Sequence, residues 1–263
     1  MLVITSPRQA DLEYLRTFLA ENKINNVDLF LSKVDNMYSC RNWGFVWAYI
    51  NNIIPKFYCS MDDDIEFISD SRDVLPRLTG VDYSVMTFNN NAQHYDSWQS
   101  EITGTCRVIP WMNGDSMFTR FEDNLLYGLP DCLPHSDPMP ICTESEYQQR
   151  LCALMQKPLL ADCEKIFYFH HFRDSQDKIA LRDSRIIPRI KSGIDFFRYK
   201  FPGIGFPKEV DINKVNIHGI MRAHIMAHPE QAHKHVLYDG EFIDYPVIYN
   251  RIASDFTHVY GGY

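Results

Sequence analysis

No apolar run in the chain reaches the roughly 18–20 residues that a membrane span requires, and no internal repeat or linker breaks it up. Positive charge is not in excess either. Lys and Arg number 26 against 34 Asp and Glu, a net of −8, which excludes a generic nucleic-acid coat. There is no C-x-x-C pair among the seven cysteines, Cys40, Cys59, Cys106, Cys132, Cys142, Cys152 and Cys163, and their number is odd. Cys132 and Cys142 are spaced irregularly for a zinc site, so buried thiols are the simpler reading. The opening MLVITSPRQADLEYL has acids close behind a short apolar run, which predicts a buried first strand rather than a signal peptide. Together these features predict reduced thiols in a cytoplasmic protein, in the host cytoplasm if the chain is viral.

What is present is the balance of a folded chain: 263 residues, 45% hydrophobic and 23% charged. That length fits one large domain or two small ones and needs no disulfide or metal to stabilise a core. The β-branched run LVIT (2–5) predicts a strand, and Leu12, Leu15, Leu19 and Ala20 recur at helical spacing. NNVDLFLS (26–33) predicts a second strand, NWGFVWAYINNII (42–54) a helix buried nearly all round, and KFYCSM a third strand running into Asp62-Asp63-Asp64. This β-α-β-α-β order implies right-handed crossovers and a parallel sheet, with ligands at the carboxyl ends of the strands. Further strands are expected at 81–89, 116–121 and 164–174, and helices at 143–157 and 182–200, broken at Pro188. Residues 122–141, with four prolines, show no period. The expected fold class is α/β, a mostly parallel sheet flanked by helices. The expected domains are a catalytic one over 1–180 and a C-terminal extension over 181–263, packed on its acceptor side.

The sharpest feature is the aspartate triplet. Three adjacent carboxylates repel one another unless they are exposed or neutralised. A hard divalent cation neutralises them, and oxygen ligands suit Mn2+ or Mg2+. Downstream, Glu144, Glu146 and Arg150 share the start of the 143–157 helix. Thr143 and Glu146 there also satisfy the pattern of a capping box, in which acids suit a helix N-terminus without any catalytic role. Two adjacent histidines, His170 and His171, end a strand whose alternation sets Tyr168 and His170 on one face and Phe167, Phe169 and His171 on the other.

The ordered set resembles the GT-A fold glycosyltransferases, over about residues 1–180. Gly44, Ala48 and Asn51 or Asn52 match that family's helix before a D-x-D motif, and Asp62 and Asp64 match the motif itself. Glu144, Glu146 and Arg150 keep the spacing of its E-D-x-E helix start, with Glu144 in place of the usual Asp at the base position. The resemblance implies a GT-A-like, Rossmann-type fold and a metal-dependent hexosyltransferase, inverting, that uses a UDP-sugar such as UDP-glucose. It implies metal ligation by Asp62, Asp64 and a late histidine, with His171 favoured over His170. Donor contacts would come from Asp62, Asp63, Arg41 and Arg173, and, by position at the first strand edges, from Thr5, Ser6 and Asp35. Glu144 is the expected base, with Asp115 in NGDSMF its competitor.

The acceptor is less legible. Residues 164–200 hold nine basic and five acidic groups, the one positive segment of the chain. Arg185, Arg189, Lys191, Arg198 and Lys200 alternate there with aromatics, the mixture a nucleic-acid groove uses for phosphates and stacking. The chain is similar in size and soluble character to phage and protozoan enzymes that glucosylate 5-hydroxymethyluracil or 5-hydroxymethylcytosine in DNA. Such an acceptor implies base flipping. A cell-surface glycan or lipid-linked saccharide is the alternative acceptor. A metal-dependent nucleotidyl- or phosphotransferase is the alternative class. No obligate protein partner is expected.

Overall fold

The computed structural model of the chain describes residues 2–34, 37–62, 64–91, 95, 102–132, 143–171, 191–207, 215–232, 235–238, 241–244 and 247–261. Its elements in chain order are β1 (Leu2–Ser6), α1 (Gln9–Glu21), β2 (Val27–Ser32), α2 (Met37–Ile50), β3 (Phe57–Met61), β4 (Ile65–Phe67) and α3 (Ser71–Gly80). There follow β5 (Val85–Phe88), β6 (Ile102–Thr103), β7 (Cys106–Ile109), β8 (Ser116–Arg120), α4 (Phe121–Tyr127), α5 (Thr143–Met155), β9 (Leu159–Asp162) and β10 (Tyr168–His170). The described residues close with helical residues 191–200, here α6, then α7 (Ile217–Ala227), β11 (His235–Tyr238), β12 (Glu241–Asp244), α8 (Val247–Ser254) and β13 (Phe256–Gly261). The chain falls into two compact units. One comprises Met1–Pro55, Leu129–His135 and Lys234–Tyr263, and the other Lys56–Gly128 and Ser136–His233.

In the first unit β1 runs parallel to β2, and β13 lies antiparallel along the other edge of β2. The leucine stripe of α1 does what its spacing predicts: Leu12 and Leu19 are buried with Val27 and Leu29 of β2. Each such side chain contributes roughly 1.5–3 kcal/mol by leaving water. On α2, Trp43 meets Phe30 at 5.0 Å and stacks on Phe256 at 4.5 Å. Asn42 donates to the Pro130 carbonyl at 2.8 Å, which fixes the 129–132 segment to this unit. Asn52, past the end of α2, takes a left-handed φ of 56°, a conformation Asn tolerates.

The second unit is built on a six-stranded sheet of order β3-β8-β5-β9-β7-β6. Only β5 and β9 pair in parallel; β3 with β8, β5 with β8, β7 with β9 and β6 with β7 are antiparallel. This corrects the expectation of a mostly parallel sheet. β6 returns to β7 through a tight turn at Gly104, with φ 65°, a connection available only to antiparallel neighbours. The sheet is nonetheless covered on both faces. Met86, Phe88 and Leu160 pack with Val74 and Leu78 of α3, while Val85 and Leu159, of opposite parity, pack with Tyr147 and Leu151 of α5. α7 packs on α5, and Phe197 of α6 stacks on Phe206 at 6.1 Å.

Candidate functional site

The site forms in the second unit, where β3 and β5 end. Asp62, just past β3, donates its backbone N–H to the Asp115 carbonyl at 2.9 Å, which joins the D-x-D turn to the loop before β8. Asp63 lies outside the described residues. Asp64 directly precedes β4, which pairs antiparallel with β10 so that Ile65 faces His170 in register. The His171 N–H donates to the Asp64 carbonyl at 2.8 Å. Asn91, beyond β5, clasps the His170 backbone, accepting from its N–H at 2.7 Å and donating to its carbonyl at 3.3 Å.

These backbone ties bring Asp62, Asp64 and His170 together, with one ligand atom from each within 4.8 Å of the others. His170 Nε2 is 3.2 Å from Asp64 Oδ1. That oxygen is buried and accepts no well-aligned hydrogen bond among the described residues. Two carboxylates, one of them with a buried oxygen short of a donor, and an imidazole form a set that fits a divalent cation such as Mn2+. The favoured histidine is corrected. His171 is 58% exposed and pairs with Glu66 at 2.6 Å, away from the aspartates. The alternation holds, and the face that turns toward the aspartates is that of Tyr168 and His170.

Behind His170 lies a polar layer in which Asp115, the competing base candidate, meets Asn90 and Tyr168, neither of which the sequence marks as a site residue. Asp115, with a side chain only 3% exposed, places Oδ2 3.4 Å from His170 Nδ1. The same oxygen accepts from Asn90 Nδ2 at 3.2 Å and from the Tyr168 hydroxyl at 3.3 Å, and Asn90 also donates to Tyr168 at 2.8 Å. Burial first, and then the charge of Asp115, push the Tyr168 hydroxyl far above its ordinary pKa, so it remains a donor. The signal for this layer was the Asn89-Asn90-Asn91 run at the carboxyl end of a buried strand, where α/β sheets place ligand-facing groups.

Glu144 sits half-buried in the first turn of α5. Its carboxylate lies over Gly114, where an added Cβ would stand 2.6 Å from Glu144 Oε1. Gln148, one turn along the helix, exchanges two hydrogen bonds with the Met112 backbone, at 3.0 and 2.8 Å, and Gln149 donates to the Pro110 carbonyl at 2.7 Å. α5 therefore fixes the 110–114 loop and presents Glu144 beside it. Trp111 of this loop stacks at 5.8 Å on His218, whose burial lowers its pKa to about 4 and keeps its ring neutral.

Glu146 has a different role from the capping box. It is fully buried, meeting Arg150 at 3.0 and 3.1 Å and Lys200 at 3.0 Å. Burial alone would raise its carboxyl; the two cations and their hydrogen bonds outweigh that and hold it below the ordinary value. A depressed carboxyl contributes stability above about pH 4.3, lost as pH falls through the folded-state value. Glu146→Gln leaves two buried cations without their anion. It is expected to destabilise the fold by about 3–5 kcal/mol in chemical denaturation at neutral pH, and a loss under about 1 kcal/mol would contradict the geometry.

Lys200 is thus corrected as a nucleic-acid contact, because its ammonium is buried against Glu146. Lys191 is exposed on α6, while Arg198 pairs with Asp195 at 3.2 Å and donates to the Pro207 carbonyl at 3.1 Å. Arg173, Arg185, Arg189, Asp35 and Cys142 lie outside the described residues. Thr5, Ser6 and Arg41 belong to the first unit. Thr5 donates to the Cys40 carbonyl at 3.4 Å, and Ser6 Oγ accepts from the Arg8 N–H. Cys132 is buried, and burial pushes its thiol up to about 12.

The chain matches no protein-family model, no curated protein and no solved structure. Among the described residues no helix is long and apolar enough to cross a membrane.

Proposed function

We propose that the protein is a metal-dependent glycosyltransferase that moves a hexose, glucose first among candidates, from a UDP-sugar to an acceptor hydroxyl with inversion. The observation that carries this reading is the convergence of Asp62, Asp64 and His170 at the edge of a sheet covered by helices. Those three residues would hold Mn2+ or Mg2+, and a bound cation would neutralise the charge developing on the departing diphosphate. Glu144 supplies the base. The acceptor O–H proton passes to its carboxylate as the acceptor oxygen bonds to the anomeric carbon. The bond from that carbon to the phosphate oxygen breaks, and its electron pair leaves with UDP. Gln148 and Gln149 keep the loop in register with Glu144.

The first acceptor to test is a hydroxymethylated pyrimidine in DNA. Its support is the positive 164–200 segment, within which Lys191 and Tyr199 are exposed on α6. Duplexes containing 5-hydroxymethyluracil or 5-hydroxymethylcytosine, incubated with UDP-glucose and Mn2+, are expected to gain one hexose per modified nucleoside by mass, and plain DNA none. UDP release without a DNA product would move the acceptor to a glycan. No reaction of any sugar nucleotide would favour a nucleotidyl- or phosphotransferase.

Gly114→Ala tests the placement of Glu144. A methyl group must displace the flexible carboxylate rather than the backbone, so stability should change by under about 1 kcal/mol. kcat should nevertheless fall about 10–100-fold, because the base moves by a fraction of its reach. An unchanged kcat would place the base elsewhere.

A further inference from the structure

We propose that Asp115 is a positioning residue that sets which ring nitrogen of His170 is offered to the cation, an inference that rests on the metal-site reading above. A carboxylate that takes a proton from an acceptor must meet that acceptor. The Asp115 side chain is 3% exposed, and its Oδ2 already accepts from Asn90 Nδ2 at 3.2 Å and the Tyr168 hydroxyl at 3.3 Å, with His170 Nδ1 3.4 Å away. Glu144, by contrast, is half-buried at the rim. The two carboxylates weighed as bases therefore divide, with Glu144 toward the substrate and Asp115 behind the ligand.

The geometry around His170 gives the division its consequence. Its ring lies between two carboxylates, with Nε2 3.2 Å from Asp64 and Nδ1 3.4 Å from Asp115. A neutral imidazole has one N–H and one lone pair, and the hydrogen bond made by one nitrogen decides which nitrogen carries the lone pair. Asp115 Oδ2 is the carboxylate oxygen beside Nδ1, and a proton held on that side leaves the Nε2 lone pair for the Asp62–Asp64 side. Asn90 and Tyr168 keep Oδ2 in place. They are paired to each other as well, and Asn90 is bridged to Tyr168 in the backbone, so the acceptor cannot swing away from the ring. Such partners align a ligating histidine, and their loss typically costs 10–100-fold in metal affinity.

The test has two arms on the intact protein. In the first, 15N NMR of the metal-free wild type, with His170→Gln to assign the signal, reads the tautomer at a pH that keeps the ring neutral. Nδ1–H is expected, and Nε2–H would overturn the proposal without any variant having to fold. In the second, Mn2+ binding followed by electron paramagnetic resonance compares wild type with Asp115→Asn, which keeps the volume and loses the charge. The expected result is a 10–100-fold higher Kd together with a shift of the His170 signal toward Nε2–H. A Kd within twofold of wild type would overturn the positioning role and leave the metal site standing. Failure of the wild type to bind Mn2+ would sink the metal site, and this inference with it.

Discussion

Asp64→Asn is expected to lower manganese-dependent sugar transfer by about 10³-fold and to abolish tight Mn2+ binding. The substitution keeps the shape and removes the charge of the one ligand oxygen that is buried and short of hydrogen bonds. A cation on a departing diphosphate stabilises the transition state by several kcal/mol, and each 1.36 kcal/mol is tenfold in rate. The loss should therefore appear mainly in kcat. His170→Gln should follow in the same direction, and His171→Gln should remain near wild type, because His171 contacts Glu66 outside the cluster. Steady-state rates against Mn2+ concentration, with EDTA as the zero point, check all three. Full activity of Asp64→Asn in EDTA would end the metal reading.

Glu144→Gln is expected to cut kcat by about 10²–10⁴-fold while leaving the KM for the donor nearly unchanged. The amide keeps the contact over Gly114 but cannot accept the proton, and general-base catalysis is worth about that factor. An effect on kcat without one on donor KM is the signature of an interaction made only in the transition state. Excess Mn2+ separates this variant from Asp115→Asn. A positioning defect is relieved as the weakened site fills, whereas a missing base is not. Recovery of Glu144→Gln at high Mn2+, or near-normal turnover by it, would remove Glu144 from the chemistry.

The aspartates were legible because three carboxylates between apolar runs have few places to go. The turn after β3 at the sheet edge is one of them. The histidines were legible only as a pair. Alternation separated them, but which face of β10 looks inward depends on pairing with β4, and a three-residue strand carries no hydrophobic stripe to show it. The sheet misled for a related reason. Each strand-helix-strand stretch suggests a parallel crossover, yet β8 enters antiparallel between β3 and β5. β9, the single parallel partner of β5, is four residues, LLAD, too short for its period to register. α3 was hidden by Pro76, although Asp70 caps it by accepting from the N–H groups of Arg72 and Asp73. Lys200 shows the limit of charge patterning. In a run of basic residues nothing local separates the one that meets a buried Glu146 from those that face water.

The most direct test of the account is to mix the protein with UDP-glucose and follow UDP release and sugar-nucleotide binding with Mn2+ present, with EDTA, and with Asp64→Asn in place of wild type. Binding and slow UDP release in Mn2+ alone, lost in EDTA and in Asp64→Asn, is the expected result. Absence of binding to any sugar nucleotide in the presence of Mn2+, or binding and turnover indifferent to EDTA and to Asp64, would contradict it.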